Sequence, residues 1–276
     1  MKFVPIYIIK LPNSKRNPDL ILSLTTFGLE FFIQEGIVGN SLSEREIYEN
    51  VNMRGCKARL GQEITKASIG AGLSHRKIYQ DINNKAYKWA LILEEDVHLK
   101  DFNPKQILEA LDLIDDSATL IQLFSRGTRL LARNSIIRLK EDRVLFDFLP
   151  RLTGSGASSY LINFSAVKLA LKNNKLNGSS DWPDWSRNVK QKGLYPWMVS
   201  ESGEGSTIPF SNLPRIKYLL RRASQLSGVH FLWYRKEYKG FAAYFKEELI
   251  PYIVYLAWRI RGSKFYLNDP QGPQTF

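Results

Sequence analysis

The stretch Ala90-Leu91-Ile92-Leu93-Glu94-Glu95-Asp96-Val97 constrains this chain more than any other, because four apolar residues run directly into three carboxylates. An apolar run this short, with no polar alternation, suits a strand covered on both faces, the environment of a mostly parallel sheet between helix layers. In open α/β sheets, ligands sit beyond the carboxyl ends of the strands, where Glu94, Glu95 and Asp96 would emerge. Side chains alternate along an extended chain, so Glu94 and Asp96 should point one way and Glu95 the other. Like charges this close repel unless a cation or a partner offsets them. Hard oxygen donors suit Mg²⁺ or Mn²⁺, which would hold a substrate diphosphate in turn. An ordinary solvated acidic edge is the competing reading of the same residues.

The elements around this strand read as an α/β chain. Phe3 to Leu11 forms a first strand, and Asn17-Pro18 opens a helix with a capping side chain and a proline at its first position. Leu20, Leu24 and Phe27 give that helix its apolar stripe, Gly28 closes it, and Leu29 to Ile33 returns as a strand. Ser14, Lys15 and Arg16 fall at the first strand-to-helix turn, where backbone N–H groups and cations meet phosphate, or where a turn is merely solvated. From Gly36 to Lys66 the sequence predicts loops and short helices. Glycines in Ser68-Ile69-Gly70-Ala71-Gly72-Leu73-Ser74-His75 then precede a helix carrying Ile78, Tyr79 and Ile82. They serve either close approach to a ligand or helix packing, and His75 is either functional or structural.

Further on, the pattern predicts a helix over Pro104 to Leu113, a strand over Ala118 to Phe124, and paired strands between Ile136 and Phe148. A strand at Tyr160-Leu161-Ile162 and a helix from Ser165 to Leu171 follow. The Gly-Ser stretch 153–159 is no P-loop, since no Gly-Lys-Ser/Thr follows it. Asp181-Trp182-Pro183-Asp184-Trp185 suits a sugar: indole offers an apolar face and carboxylate accepts hydroxyls. Either aspartate there could be a general base, or both could cap a helix beginning at Pro183.

Composition narrows the class. At 276 residues with 44% hydrophobic and 24% charged residues, the chain is of globular type. One cysteine, Cys56, fits a reducing, cytoplasmic setting. The N-terminus reads as a strand and not a signal peptide, and the longest late apolar run, Leu249 to Trp258, is too short to span a bilayer. The net charge of +12 concentrates between Pro214 and Lys264, where eleven cations oppose three acids. There, helices expected at Lys217 to Leu226 and Phe241 to Ile260 mix cations with Tyr, Trp and Phe, as interfacial helices on anionic lipid do. Division into a catalytic domain, 1–212, and a basic tail, 213–276, follows from that shift.

These motifs, in this order, resemble glycosyltransferase family 25, the lipooligosaccharide-biosynthesis glycosyltransferases. Ile9-Lys10-Leu11 and Arg16 occupy the places of the family's Ile-Asn-Leu strand end and following Arg. Ile69-Gly70 and Leu73-Ser74-His75 match its Gly-Glu-Ile-Gly-Cys-x-Leu-Ser-His box, and Leu93-Glu94-Glu95-Asp96-Val97 its Leu-Glu-Asp-Asp-Val. Asp181 would be its later aspartate. Lys10, Ser68, Ala71, Glu95 and Val38 depart from the family pattern.

The resemblance implies a GT-A-like fold over residues 1–212, a UDP-sugar donor and inversion at the anomeric carbon. It also implies a lipid-linked or oligosaccharide acceptor on a bacterial surface glycan. Glu94 and Asp96 would then be metal ligands to Mn²⁺ or Mg²⁺, and Ser14, Lys15, Arg16, Ser74, His75 and Glu95 would bind the donor. Asp181 is the first choice of base and Asp184 the second. The tail would hold the enzyme at the inner face of the inner membrane. A catalytically inactive assembly partner is one alternative. A nucleic-acid-binding protein is the other, disfavoured because no nucleic-acid module is recognisable and an acid cluster repels polyanions.

Overall fold

A computed structural model of the chain describes residues 4–60, 63–125, 135–148, 156–178 and 184–201. The basic tail and Asp181 lie outside the described residues, as does the side chain of Asp184.

An eight-stranded sheet runs in the order β2-β1-β3-β8-β5-β9-β7-β6. Its strands are β1 (Ile6–Lys10), β2 (Phe31–Glu35), β3 (Trp89–Glu94), β5 (Thr119–Gln122), β6 (Ile137–Arg138), β7 (Val144–Asp147), β8 (Ser159–Asn163) and β9 (Lys190–Tyr195). A two-stranded antiparallel ribbon pairs β4 (Val97–Leu99) with β10 (Val199–Glu201). β2, β1 and β3 are mutually parallel, and β5 is parallel to β9. β8 runs against both β3 and β5, so those two point the same way on either side of it. The sheet is therefore mixed: the shared direction expected from the sequence holds for β2, β1, β3, β5, β9 and β6, while β8 and β7 run against it.

Both faces of the sheet are covered. On one, Ile6, Ile8, Leu91, Leu93 and Ile121 pack with Leu20 and Leu24 of α1 (Pro18–Thr26) and with Ile107, Ala110 and Leu111 of α5 (Pro104–Asp112). On the other, Tyr7, Ile9, Ala90, Ile92 and Ile162 meet Ile78, Tyr79 and Ile82 of α4 (Lys66–Lys85) and Ala166, Val167 and Ala170 of α6 (Phe164–Leu171). Two-sided cover explains why β3 has no polar alternation: odd residues face α1 and even residues face α4. Each fully buried Leu or Ile contributes about 1.5–3 kcal/mol, which makes β3 and β1 the centre of the fold.

Two short helices, α2 (Glu44–Asn50) and α3 (Met53–Leu60), fill the region between β2 and α4. α2 opens with a capping box, in which Ser43 and Glu46 satisfy each other's backbone N–H groups.

Three local expectations need correction. The glycines at 70 and 72 lie within α4, which starts at Lys66 with Thr65 as its cap. They are there for packing: a Cβ on Gly70 would stand 2.4 Å from Ile37 O and 2.6 Å from Gly39 N, and one on Gly72 2.8 Å from Leu176 Cδ2. Asn17 does precede α1, followed by proline, but its side chain makes no cap bond. It donates instead to Val97 O, tying the start of α1 to the acidic turn. Finally, where the alternative reading put a helix beginning at Pro183, the described residues show a 3-10 turn, Asp184–Asn188.

Candidate functional site

Chain connections from β1 leave in both directions, through α1 to β2 and onward to β3, so the strand order reverses between β1 and β3. Ligands of open α/β sheets bind at such a switch point, outside the carboxyl ends. Lys10 ends β1 there and Glu94 ends β3. The Glu95 N–H still donates to Ile9 O at 3.0 Å, but Glu95 and Asp96 already form the turn into β4. Strand alternation therefore orients Glu94 and ceases to govern Asp96.

Glu94 points to the α4 face and meets His75. His75 Nε2 lies 3.1 Å from Glu94 Oε1, and Nδ1 lies 2.8 Å from the Tyr160 hydroxyl. That hydroxyl is 2.7 Å from the Tyr79 hydroxyl. A carboxylate only accepts, so Nε2 carries a proton. In the neutral ring Nδ1 then accepts from Tyr160, and Tyr160 Oη accepts from Tyr79. The chain runs one way, Tyr79 to Tyr160 to His75 to Glu94. His75 is 2% exposed whereas the Glu94 side chain is 32% exposed, so the imidazole is fixed and the carboxylate reaches the surface. Burial pushes the Tyr79 phenol up, and burial with the neighbouring Tyr79 pushes Tyr160 well above the ordinary tyrosine value. Both therefore stay protonated donors.

Glu95 turns to the other face, toward α1. It is buried, its Oε2 has no hydrogen-bond partner among the described residues, and it lines a small recess with Lys10, Arg16 and Asn17. Similar buried polar atoms lacking such partners lie close by: both side-chain atoms of Gln122, and the hydroxyls of Ser125, Ser158 and Ser159. Gln122 ends β5, and Ser159 pairs with Leu93 at the end of β3. Buried polar groups are ordinarily hydrogen-bonded, and among the described residues these have no partner.

The other sequence-selected residues divide. Ser74 points inward, accepting from Ile37 N–H at 2.8 Å and donating to Gly70 O at 2.7 Å, so it fastens α4 to the 37–39 segment. Lys15 is exposed on the turn before α1, while the Ser14 hydroxyl accepts from Arg16 N–H. Glu94 engages His75 through Oε1 only. No group of three His, Cys, Asp or Glu side chains converges among the described residues. Sequence reasoning missed Tyr79, Tyr160 and Gln122 as neighbours of the site. Trp185 packs edge-on against Tyr79 at 5.7 Å, bringing the end of the Asp-Trp motif to α4.

Together these define an α/β protein with a polar, carboxylate-bearing pocket at the switch point of its sheet. A family model described as Glycosyltransferase family 25 (LPS biosynthesis protein) matches residues 3–176, and the chain belongs to that family. No curated protein matches the chain. Among solved structures, the protein A197 from STIV is 10% identical, with a TM-score of 0.37 over 68% of this chain and 81% of that one. A glycosyltransferase involved in the glycosylation of the major capsid of PBCV-1 is 15% identical, with a TM-score of 0.26 over 60% and 62%. The inositol-1-phosphate CTP transferase from T. maritima is 12% identical, with a TM-score of 0.32 over 73% and 89%. Membership rests on the sequence match, to which scores this low add nothing.

Proposed function

We propose that the chain is an inverting glycosyltransferase that moves a hexose, galactose or a relative, from a UDP-sugar to a lipooligosaccharide or another bacterial surface glycan. The observation that carries this reading is the His75-anchored Glu94 at the carboxyl end of β3, next to Glu95, whose buried Oε2 has no hydrogen-bond partner among the described residues. A nucleotide diphosphate and a sugar supply the hydroxyls and phosphate oxygens such a site needs.

Glu94 and Asp96 fit a shared Mg²⁺ or Mn²⁺ if the donor completes the shell. Mg²⁺ commonly takes one or two carboxylates together with phosphate oxygens and waters. When bound, the cation offsets charge on the departing diphosphate. The chain's own residues do the rest. His75 holds Glu94 in one orientation, and Lys15 and Arg16 add positive charge beside the phosphates. Asp181, with Asp184 as second choice, takes the acceptor hydroxyl's proton. The acceptor oxygen forms its bond to the anomeric carbon from the face opposite the diphosphate, as the bond from that carbon to the diphosphate oxygen breaks. The basic aromatic tail, 213–276, would keep the enzyme on an anionic membrane surface beside a lipid-linked acceptor.

A panel of nucleotide sugars, assayed for binding and slow hydrolysis with and without Mn²⁺, tests the reading. A UDP-sugar is expected to bind best, Asp96→Asn to abolish turnover, and Asp181→Asn to spare donor binding while stopping transfer. Full turnover by Asp96→Asn would remove the metal role. Binding of no nucleotide sugar at all would favour an inactive assembly partner.

A further inference from the structure

A second feature adjoins the site on the α4 face. Between α4, the end of α6 and Trp185 lies a cleft lined by His75, Arg76, Asn173, Lys175, Asn177 and Trp185. His75 and Tyr79 form part of its wall, so the cleft abuts the hydrogen-bonded chain that ends at Glu94.

Its two cations are unusual in what they hold. Arg76 Nη1 donates to Ala170 O at 3.3 Å, one of the last carbonyls of α6. That uses one of five N–H donors. Lys175 Nζ donates to Tyr48 O at 2.6 Å and sits 4.6 Å over the Tyr48 ring, leaving further donors. Most other paired cations among the described residues reach a carboxylate, as Lys190 does to Asp115 and Lys192 to Asp147. Arg76 and Lys175 have no carboxylate partner among the described residues. Burial also lowers the Arg76 pKa. A half-buried guanidinium that donates once to a neutral carbonyl, with most donors unspent, is suited to bidentate contact with a carboxylate or phosphate.

We propose that this cleft binds an anionic group, a carboxylate or phosphate, carried by the glycan acceptor. The term acceptor rests on the proposed function; the anion site rests on Arg76 and Lys175 alone. Arg76 grips the anion through its free donors, and Lys175 closes the far side. Trp185 and the two asparagines border the sugar ring. The acceptor is thus fixed one helical residue away from the imidazole that orients Glu94.

The test is equilibrium binding to the full-length chain, read by calorimetry or ligand-observed magnetic resonance, which needs no turnover. Galacturonate, galactose 6-phosphate and neutral galactose are the probes. Both charged probes are expected to bind at least about tenfold tighter than galactose. Arg76→Gln and Lys175→Gln are each expected to erase about tenfold of that preference, and Arg76→Lys to recover part of it. UDP is titrated in parallel. If Arg76→Gln weakens UDP and leaves the charged sugars unaffected, the anion is the donor's diphosphate and the acceptor assignment falls. No preference for charge, or a preference that survives both Gln variants, overturns the site. Should Arg76→Gln also lower the melting temperature, Lys175→Gln decides, because Lys175 lies outside the helices. Charged-probe binding without any sugar transfer would leave this site standing and sink the transferase reading instead.

Discussion

His75 is held through both ring nitrogens, and loss of either hold has its own consequence. In Tyr160→Phe, Nδ1 loses its donor and the Tyr79 hydroxyl its acceptor, both in a dry interior. Leaving buried polar groups unmade costs about 1–3 kcal/mol, and the ring loses the partner that keeps the proton on Nε2. Tyr79→Phe breaks the chain one step earlier and leaves the His75 tautomer intact. Tyr160→Phe should therefore lower kcat by about tenfold or more, and Tyr79→Phe by much less, at comparable losses in urea stability. Equal kcat effects would mean that the chain does not act through His75. The same phenols set an alkaline limit. Their folded pKa values lie above the ordinary tyrosine value. The unfolded chain thus ionises first, near pH ~10. Their contribution is complete below that pH and is lost as pH climbs through the raised values. Ultraviolet phenolate absorbance should show at least three tyrosines that ionise only as the protein unfolds: these two and Tyr7, whose phenol is pushed up by burial and by its bond to Asp81.

α4 shows how an element can be both legible and misread. Ile78, Tyr79 and Ile82 announced its buried face, while glycines upstream read as a loop because glycine weakens helices in isolation. Contact overrides propensity: Gly70 and Gly39 let α4 lie against the 37–39 segment at backbone distance. Gly70→Ala gains about 1 kcal/mol of helix propensity, yet its Cβ meets backbone at 2.4 Å, and overpacking of this kind costs about 1–3 kcal/mol. It should lower the urea midpoint, and more than Gly72→Ala, whose Cβ meets only the movable end of Leu176. A raised midpoint for Gly70→Ala would contradict the packing described here. β1, α1 and β3 were readable because burial on a fixed period writes itself into the sequence. β9 was not, because Lys190 and Lys192 spoil its pattern. They are accommodated by Asp115 and Asp147 across neighbouring elements, and Gly193 is bare to admit the Phe146 ring. The candidate site was half legible. The two motifs holding His75 and Glu94 stand out, but the hold on His75 from Tyr160, 85 residues away, depends on β8 pairing antiparallel with β3, a pairing that no local pattern announces.

At the scale of the molecule, charge is distributed by position along the chain. The net +12 resides mainly beyond Pro214, where eleven cations stand among aromatic residues, while the sheet's carboxyl edge gathers acids. A uniformly basic protein would attract any polyanion. On the proposed reading, a basic tail joined to an acid-edged sheet would meet a flat anionic surface with the tail and a neutral or metal-bridged donor with the sheet. Among the described residues no helix is long and apolar enough to cross a membrane; in the tail the run Leu249 to Trp258 is shorter than the roughly 20 residues a span needs, so the proposed attachment is peripheral. Each Lys or Arg near an anionic bilayer contributes about 1 kcal/mol. Replacing Arg221, Arg222, Arg235 and Lys236 together by Gln should therefore cut partitioning onto phosphatidylglycerol vesicles by at least about a hundredfold. Added salt should have a similar effect, since the attraction fades within a Debye length of about 10 Å at 0.1 M. Phosphatidylcholine vesicles should bind weakly throughout, and soluble nucleotide-sugar binding should be unchanged by the four substitutions. If both vesicle types bound the unsubstituted chain equally, the aromatic residues would carry the contact and electrostatic attachment would be wrong. If neither bound, the tail would have to serve another surface.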